Sequence, residues 1–170
     1  MRRALWAGLL ILALLAGPVF AQTSTTAIVA GQHVAGIRVG GNATEAVSAF
    51  GSLFNRAESR SGKYALYEWP LRPFVVIAEK ESGRIVLLVV VLSDTYRTDR
   101  GNVTAGTERA GVESAYGREF TTEEDQTSVT LVYDSQGIAF DIGKVGALSG
   151  RVAQIIVFVP GQWKAITDGL

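Results

Sequence analysis

The residues that could carry out chemistry are few in this chain. Cysteine is absent and His33 is the one histidine among 170 residues. Thiol catalysis, disulfide bonds, iron–sulfur clusters and Cys/His zinc sites are therefore excluded, because each needs cysteine or several histidines. A Ser-His-Asp triad or a metal site would have to form around His33, whose neighbours Gly31-Gln32 and Val34-Ala35 show no ligand spacing. We predict an ordinary surface or turn histidine, and neither a metal nor a cofactor.

Two short segments have part of the pattern of a ligand-binding loop. Glu123-Glu124-Asp125 is the densest acidic run, but it lacks the glycine-punctuated alternation of a calcium loop. Gly143-Lys144-Val145-Gly146 lacks the Gly-Lys-Ser/Thr order of a phosphate-binding loop. We interpret the first as a solvated connection and the second as a loop between two strands.

Several carboxylates could act in acid–base catalysis, but the sequence shows no recognisable arrangement of a catalytic pair. The carboxylates that could supply a glycosidase pair are Glu68, Glu79, Asp134 and Asp141. Nothing in the sequence singles out two of them, so no catalytic residue is predicted. Lysine plus arginine equals aspartate plus glutamate at 16 each, which argues against binding to nucleic acid. The hydrophobic fraction of 48% exceeds the charged fraction of 19%, which indicates a folded globular protein.

Aromatic residues are the stronger functional signal. Alternation along strands would send some of them to a sheet face that the helices do not cover, where aromatic side chains typically anchor protein interfaces. The alternative is that most of them are core residues or cross-strand pairs. The candidate protein-binding residues are Tyr67, Trp69, Phe74, Tyr96, Arg97, Arg100, Tyr133, Phe158 and Trp163.

The helices and strands that must position these residues belong to an internal sequence repeat with two copies. Ile37-Arg38-Val39-Gly40 is matched 66 positions later by Val103-Thr104-Ala105-Gly106. Ser82-Gly83-Arg84-Ile85 is matched 67 positions later by Ser149-Gly150-Arg151-Val152. Such self-similarity identifies the repeated structural unit. We therefore predict a first α+β repeat over 33–98, a second over 99–165 and a C-terminal tail over 166–170.

Each repeat is predicted to be a short helix followed by strands. Asn42 with Glu45 forms a capping box before the first helix, and Thr107 would cap the second. Gly51 and Gly117 would end the two helices. The predicted strands, rich in aromatic and β-branched residues, are 64–69, 74–78 and 85–92, then 129–133, 138–142 and 155–159.

The predicted fold class is α+β, with two tandem repeats of one helix plus three antiparallel strands and the helices packed on one face of the sheet. The apolar runs 85–92 and 155–159 do not alternate, so both faces of these strands should be covered in the fold or on binding. Between the repeats, Tyr96 is too apolar for a tether. We expect Tyr96 to pack between the halves, with Arg97, Asp99 and Arg100 along a groove beside it.

This combination resembles a known family. A Val-x-Gly element, a short helix that ends in aromatic-Gly, and strands that end in Gly83-Arg84-Ile85 or Gly150-Arg151-Val152 are similar to the repeat of the β-lactamase-inhibitor-protein-like fold. Small outer-membrane-assembly lipoproteins of the SmpA/OmlA type share that unit. The resemblance implies a protein-binding module. The chain departs from both relatives because it has neither the lipidated cysteine of the lipoproteins nor the cysteines of the inhibitor.

The first residues have the pattern of a secretory signal peptide. Met1-Arg2-Arg3 is basic, 5–15 is apolar, and Val19-Phe20-Ala21 suits a signal peptidase. We predict a signal peptide over 1–21, cleaved after Ala21, and a flexible N-terminus or edge strand over 22–32. Retention as an anchor is the alternative, although the apolar stretch is shorter than the roughly 20 residues that span a bilayer. Export to the periplasm or the exterior follows, with no membrane span in the mature form.

The sequence thus predicts an exported, non-enzymatic module of the cell envelope that binds a protein partner. Three alternatives remain open. The first is a structural homodimer that forms through the apolar sheet face. The other two are a small ligand-binding protein and a hydrolase, which would need a deep pocket with convergent polar groups.

Overall fold

The computed structural model describes residues 26–170, so the predicted signal peptide over 1–21 lies outside the described residues. In chain order the helices and strands are β1 (Ala27–Val29), β2 (His33–Val34), β3 (Ile37–Arg38), α1 (Ala43–Phe50), β4 (Asn55–Glu58), β5 (Tyr64–Trp69), β6 (Phe74–Glu79), β7 (Ile85–Val91), β8 (Arg97–Thr98), α2 (Arg109–Tyr116), β9 (Thr121–Glu124), β10 (Ser128–Tyr133), β11 (Ile138–Gly143), β12 (Val152–Phe158) and α3 (Trp163–Thr167). Short 3₁₀ turns lie at Asp134–Gln136 and Gly146–Leu148. Within residues 26–170, no helix has the length and apolar character needed to cross a bilayer.

An eight-stranded sheet dominates the structure, with strand order β4-β5-β6-β7-β12-β11-β10-β9. All its neighbouring strands are antiparallel. The last strands of the two halves, β7 and β12, meet in the middle, from the Val91–Gln154 pair to the Leu87–Phe158 pair. We call α1 with β4–β7 the first half and α2 with β9–β12 the second half.

The predicted fold class is wrong in its proportions and its strand count. The protein is mostly β, with 41% strand and 19% helix, and a second sheet of four strands accompanies the large one. In each half, four strands of the large sheet follow the helix, not three. The additional strands β4 and β9 are sheet edges whose side chains are all exposed and mostly polar. Their sequences therefore carry no apolar alternation by which a strand could be recognised.

The four-stranded sheet has the order β3-β2-β1-β8. Strand β1 lies within the segment 22–32, for which a flexible N-terminus or an edge strand is predicted, and it is not an edge because it pairs with both β2 and β8. Its side chain Ile28 is fully buried with Val34 and Ile37 in the largest core cluster. The segment before the first helix is thus a structural layer over the large sheet.

The large sheet is buried on both faces. One face, which we call the helix face, packs against α1, α2 and the small sheet through residues such as Val76, Leu88 and Phe140. The opposite face, which we call the α3 face, packs against Trp163 and Ile166. The prediction that all helices lie on one face is therefore wrong. The prediction that strand 85–92 is covered on both faces is confirmed for β7, in which Ile85 to Val90 are all buried.

The helix boundaries follow their caps. Asn42 accepts a hydrogen bond from the Thr44 N–H at 3.0 Å, and the capping box with Glu45 is present. The predicted cap at Thr107 is wrong, since α2 begins after Glu108, whose side chain makes no capping bond. Thr107 instead accepts a hydrogen bond from the Thr104 N–H.

The two halves make matching contacts around their helices. The Gly40 N–H donates to the Ile85 carbonyl at 2.7 Å, and the Gly106 N–H donates to the Val152 carbonyl at 2.8 Å. Each helix ends at a glycine with positive φ, 90° at Gly51 and 89° at Gly117, a conformation that favours glycine. Positions in one half can therefore be compared with those in the other.

Candidate protein-binding site

A cavity of about 470 Å³ opens beside the C-terminal end of α1. Its walls come from the residues after α1, from the turn between β5 and β6, and from the segment between β7 and β8. The lining residues are Phe50, Leu53, Trp69, Leu71, Arg72, Pro73, Ser93, Thr95 and Tyr96. We call it the first-half cavity, because the first half and the segment that leaves it form all of its walls.

Aromatic rings hold the inner side of this cavity in place. Phe50 stacks on the buried Phe74 at 4.7 Å between ring centroids and meets the edge of Trp69 at 5.5 Å. Tyr96 packs edge-on against Phe74 at 4.6 Å. The Trp69 Nε1–H donates to the Gly51 carbonyl at 2.9 Å, which ties the indole to the end of α1. The cavity is therefore held by packed rings and a hydrogen bond.

Three leucines surround this region with their side chains in solvent. Leu53 is 79% exposed and Leu71 is 90% exposed, and both line the cavity. Leu92 is 64% exposed and lines an adjoining groove that shares three lining residues with the cavity. We call Leu53, Leu71 and Leu92 the leucine rim. Clustered exposed apolar side chains are typical of interaction surfaces.

Leu92 also has an unusual backbone. Its φ is 50°, in the left-handed region that side chains other than glycine rarely adopt. Its N–H donates to the Ala153 carbonyl at 2.9 Å, so pairing with β12 holds the strained residue. Strain that the surrounding structure maintains is concentrated at functional sites.

The second half has polar residues at the positions of two of the three rim leucines, Leu53 and Leu71. Counted from the ends of the helices, Glu119 corresponds to Leu53, and counted from the ends of β5 and β10, Ser135 corresponds to Leu71. Glu119 and Ser135 are both exposed. The same local fold therefore forms with polar residues at these positions, so folding does not require the leucines.

The backbone of this chain covers the matching region of the second half. The Gly31 N–H, in the turn between β1 and β2, donates to the Gly137 carbonyl at 3.1 Å. A Cβ atom on Gly137 would lie 2.7 Å from the Gly31 Cα atom, so the two turns are in direct backbone contact. The counterpart of the β5–β6 turn is thus closed by a polypeptide segment.

Arg72 is the charged residue of the first-half cavity. Its guanidinium lies 5.5 Å from the centroid of Phe50, in a cation–π arrangement. Within residues 26–170, none of the ion pairs includes Arg72. Glu68 and Arg72 both line the adjoining groove.

The nine candidate residues from the sequence fall into two groups. Five are core side chains with at most 7% exposure: Trp69, Phe74, Tyr133, Phe158 and Trp163. The other four have accessible surface: Tyr67, Tyr96, Arg97 and Arg100. Among all nine, Trp69 and Tyr96 line the first-half cavity. A role in binding stays a prediction for the whole set.

The arginines of the joint do not line this cavity. Arg100 instead lies over the Tyr116 ring at 5.5 Å and donates to Gln136 Oε1 at 3.0 Å, both in the second half. Arg97 is exposed on β8. Tyr96 packs on Phe74 of the first half. The cavity beside Tyr96 is thus lined without Arg97, Asp99 or Arg100, and the groove predicted along these three residues stays a prediction.

Sequence reasoning missed the leucine rim. Single exposed leucines are common in proteins and give no signal on their own. The comparison of the halves does contain one at Leu53, which the 66-residue offset of the repeats places against Glu119. Leu71 is matched with Ser135 only by the ends of β5 and β10 in the structure. An apolar residue that its repeat partner replaces with a polar one is a candidate for function.

The structure gives three of the four candidate catalytic carboxylates structural partners. Glu79 is hydrogen-bonded by Arg84 and by Ser82, which lowers its pKa to about 2. Asp134 accepts a hydrogen bond from the backbone N–H of Trp163 at 3.1 Å, and Asp141 accepts one from the Thr130 hydroxyl at 3.2 Å. Glu68 is exposed on β5.

The two segments that partly match ligand-binding loops, 123–125 and 143–146, also have structural partners. Glu123 accepts a hydrogen bond from the Trp163 Nε1–H at 2.7 Å. Lys144 donates to the Asp125 carbonyl at 2.6 Å, so the loop between β11 and β12 is tied to the β9–β10 turn. The Thr127 and Ser128 N–H groups bind the Asp125 carboxylate, which lowers its pKa to about 2. No group of histidines and carboxylates within residues 26–170 is arranged to hold a metal.

Comparison with known proteins gives a likeness of fold. No family model and no curated protein matches the sequence. Among solved structures, the uncharacterized protein YfeY from Escherichia coli is 16% identical with a TM-score of 0.56, over 76% of this chain and 98% of that protein. A cysteine-rich secretory protein, SAV1118, from Staphylococcus aureus is 12% identical with a TM-score of 0.48, over 76% of this chain and 46% of that one. The resemblance to the β-lactamase-inhibitor-protein-like fold stays a prediction.

Proposed function

We propose that this protein is an exported, non-enzymatic module of the cell envelope that binds a partner protein at the first-half cavity. The leucine rim provides apolar contact area, and the packed rings behind it provide a rigid wall. Such a combination of a rigid aromatic wall and exposed aliphatic side chains is typical of interface centres. Export rests on the signal-peptide pattern of residues 1–21.

The observation that carries the proposal is the difference between the halves. Leu53 and Leu71 are 79% and 90% exposed, whereas their counterparts are Glu119 and Ser135. Exposed leucine gives no benefit to folding that glutamate or serine would not give at the same positions. The leucines are therefore explained best by contact with another molecule.

The second half indicates what kind of molecule this is. There, the turn between β1 and β2 lies on the turn after β10, through the Gly31–Gly137 hydrogen bond. A polypeptide segment of this chain thus already lies on the counterpart of one wall of the first-half cavity, the turn between β5 and β6. We infer that a partner's polypeptide occupies the cavity itself.

The test replaces the rim with the residues of the second half. The double variant Leu53→Glu, Leu71→Ser should fold as the wild type does and should lose its partner. Wild type, the double variant and the control Val145→Ser would be cross-linked in envelope extract of the source organism and compared by quantitative mass spectrometry. Val145 is a suitable control because it is 62% exposed and does not line the cavity.

The expected result is a partner that both wild type and Val145→Ser recover and that the double variant does not. Equal recovery by all three proteins would show that the leucine rim is not the binding site. Circular dichroism of the double variant would verify that it folds.

A second candidate function is a homodimer through the α3 face. Four half-buried apolar side chains lie on this face: Leu66, Val75, Val91 and Ile156. Sedimentation equilibrium separates the two proposals. A dimer that Val75→Lys dissociates would favour self-association, and a monomer at high micromolar concentration would remove that candidate.

A further inference from the structure

We infer that the partner segment carries an aspartate or glutamate beside an aliphatic residue, with the aliphatic side chain in the first-half cavity and the carboxylate on Arg72. This inference rests on the proposed function, because it specifies the chemistry of the occupant of the same site.

Each half places a guanidinium over the ring at the end of its helix. Arg72 lies over Phe50 at 5.5 Å, and Arg100 lies over Tyr116, the counterpart of Phe50, also at 5.5 Å. In the second half this guanidinium has an oxygen acceptor, since Arg100 donates to Gln136 Oε1 at 3.0 Å. In the first half, within residues 26–170, Arg72 has no such side-chain acceptor among the hydrogen bonds and ion pairs.

A carboxylate is the acceptor that fits best. The guanidinium offers a planar fork of N–H donors that matches a carboxylate in a bidentate contact, and an aromatic ring on one side limits its motion. The cavity beside Arg72 is bounded by Leu53 and Leu71, which suit an aliphatic side chain. Glu68 lies in the adjoining groove and would repel a carboxylate there. The acid should therefore sit on the cavity side of Arg72.

The acid should be a side chain and not a chain terminus. The segment that covers the matching region of the second half is an internal turn, between β1 and β2. An internal segment of the partner is the corresponding occupant. The proposed occupant is thus an internal acidic–aliphatic stretch of a partner polypeptide.

The test is a selection of phage-displayed random peptides on immobilised full-length mature protein. Three baits would be compared: wild type, Arg72→Gln, which carries the residue of the second half, and the double variant Leu53→Glu, Leu71→Ser. We expect wild type to select peptides with aspartate or glutamate within two positions of an aliphatic residue. Arg72→Gln should keep the aliphatic preference and lose the acidic one.

A synthetic peptide from the wild-type pool would then be titrated by fluorescence anisotropy. A hydrogen bond to a charged group contributes about 1.5–3 kcal/mol, so Arg72→Gln should weaken binding roughly 10- to 100-fold. Peptides with amidated and free C-termini should bind equally. A requirement for the free terminus would overturn the inference in favour of a terminal carboxylate.

Two other outcomes separate this inference from the proposed function. Aliphatic peptides that depend on the leucine rim without any acidic preference would overturn the role of Arg72 and leave the site in place. A wild-type pool no different from that of the double variant would overturn both, because the rim would then contribute nothing to binding.

Discussion

Trp69 and Tyr133 perform the same structural task in the two halves. The Trp69 Nε1–H donates to the Gly51 carbonyl and the Tyr133 hydroxyl donates to the Gly117 carbonyl, both at 2.9 Å. Each bond ties the first long strand of its half to the end of the helix. Different residue types thus satisfy the same backbone group, which explains why both side chains are buried.

Burial of tyrosine makes the fold sensitive to alkali. Burial raises the pKa of Tyr133 to about 12, with a further contribution from the Glu113 carboxylate, and burial also raises the pKa of Tyr116 to about 12. In the unfolded chain a tyrosine ionises near pH 10. Between about pH 10 and 12 the unfolded state therefore loses protons that the folded state keeps, so stability falls as the pH rises.

We predict that Tyr133→Phe lowers the free energy of unfolding by about 1 kcal/mol at pH 7, because one hydrogen bond is lost. The variant should also lose less stability than the wild type between about pH 10 and 12. Urea denaturation at several pH values measures both effects. The control is Tyr67→Phe, since the Tyr67 hydroxyl has no hydrogen bond among residues 26–170. Identical pH profiles for the two variants would contradict the assignment.

The sequence identified aromatic residues but not their positions. Strand alternation determines which residues share a face, yet it does not say which face the small sheet and α1 cover. Trp69, Phe74 and Tyr133 therefore looked like interface anchors and lie in the core. The Leu53 site could be found only by comparing the halves position by position, and the Leu71 site only once the ends of β5 and β10 are known.

The two helices differ in how they begin. At α1, Asn42 accepts the Thr44 N–H at 3.0 Å and Glu45 completes the capping box. At α2, Glu108 makes no capping bond and instead pairs with Arg151 at 2.8 Å. The end of α1 contributes to the first-half cavity through Phe50, so the stability of α1 affects the site.

We predict that Asn42→Ala lowers the free energy of unfolding by about 1 kcal/mol, the usual contribution of a capping side chain. Glu108→Ala should cost less, because an exposed ion pair contributes little. Urea denaturation of both variants gives the comparison. An equal loss in the two would show that the capping box at Asn42 does not stabilise the helix.

At the level of elements, the sequence predicted strands where residues were apolar and missed them where they were polar. The strands β5, β6, β7, β10 and β11 lie within two residues of their predicted limits. The strands β4 and β9 form by pairing with β5 and β10, respectively. Each pairs on one side only, which makes it an edge of the large sheet. Such edges expose polar and charged side chains that also prevent sheet-to-sheet aggregation, so their composition is that of a loop.

The whole molecule is joined in the middle of one sheet. The antiparallel pair β7–β12 includes five residue pairs and lies between the two halves. A contact outside the sheet also joins the segment before the first half to the second half, because the Gly31 N–H donates to the Gly137 carbonyl. The boundary between the predicted repeats therefore runs through a continuous core.

We predict that the two halves unfold together in a single cooperative transition. Fragments 26–98 and 99–170 would each expose one edge of the most apolar strands, since β7 is buried along Ile85 to Val90. A chain of roughly 70 residues buries too little apolar surface to tolerate that loss easily. The full chain should show one calorimetric transition whose van't Hoff and calorimetric enthalpies agree. Each fragment alone should lack a cooperative transition or associate through its free edge, and mixing the two should restore the transition. A fragment that melts cooperatively as a monomer would show that the half is an independent domain and that the β7–β12 pair merely joins two stable units.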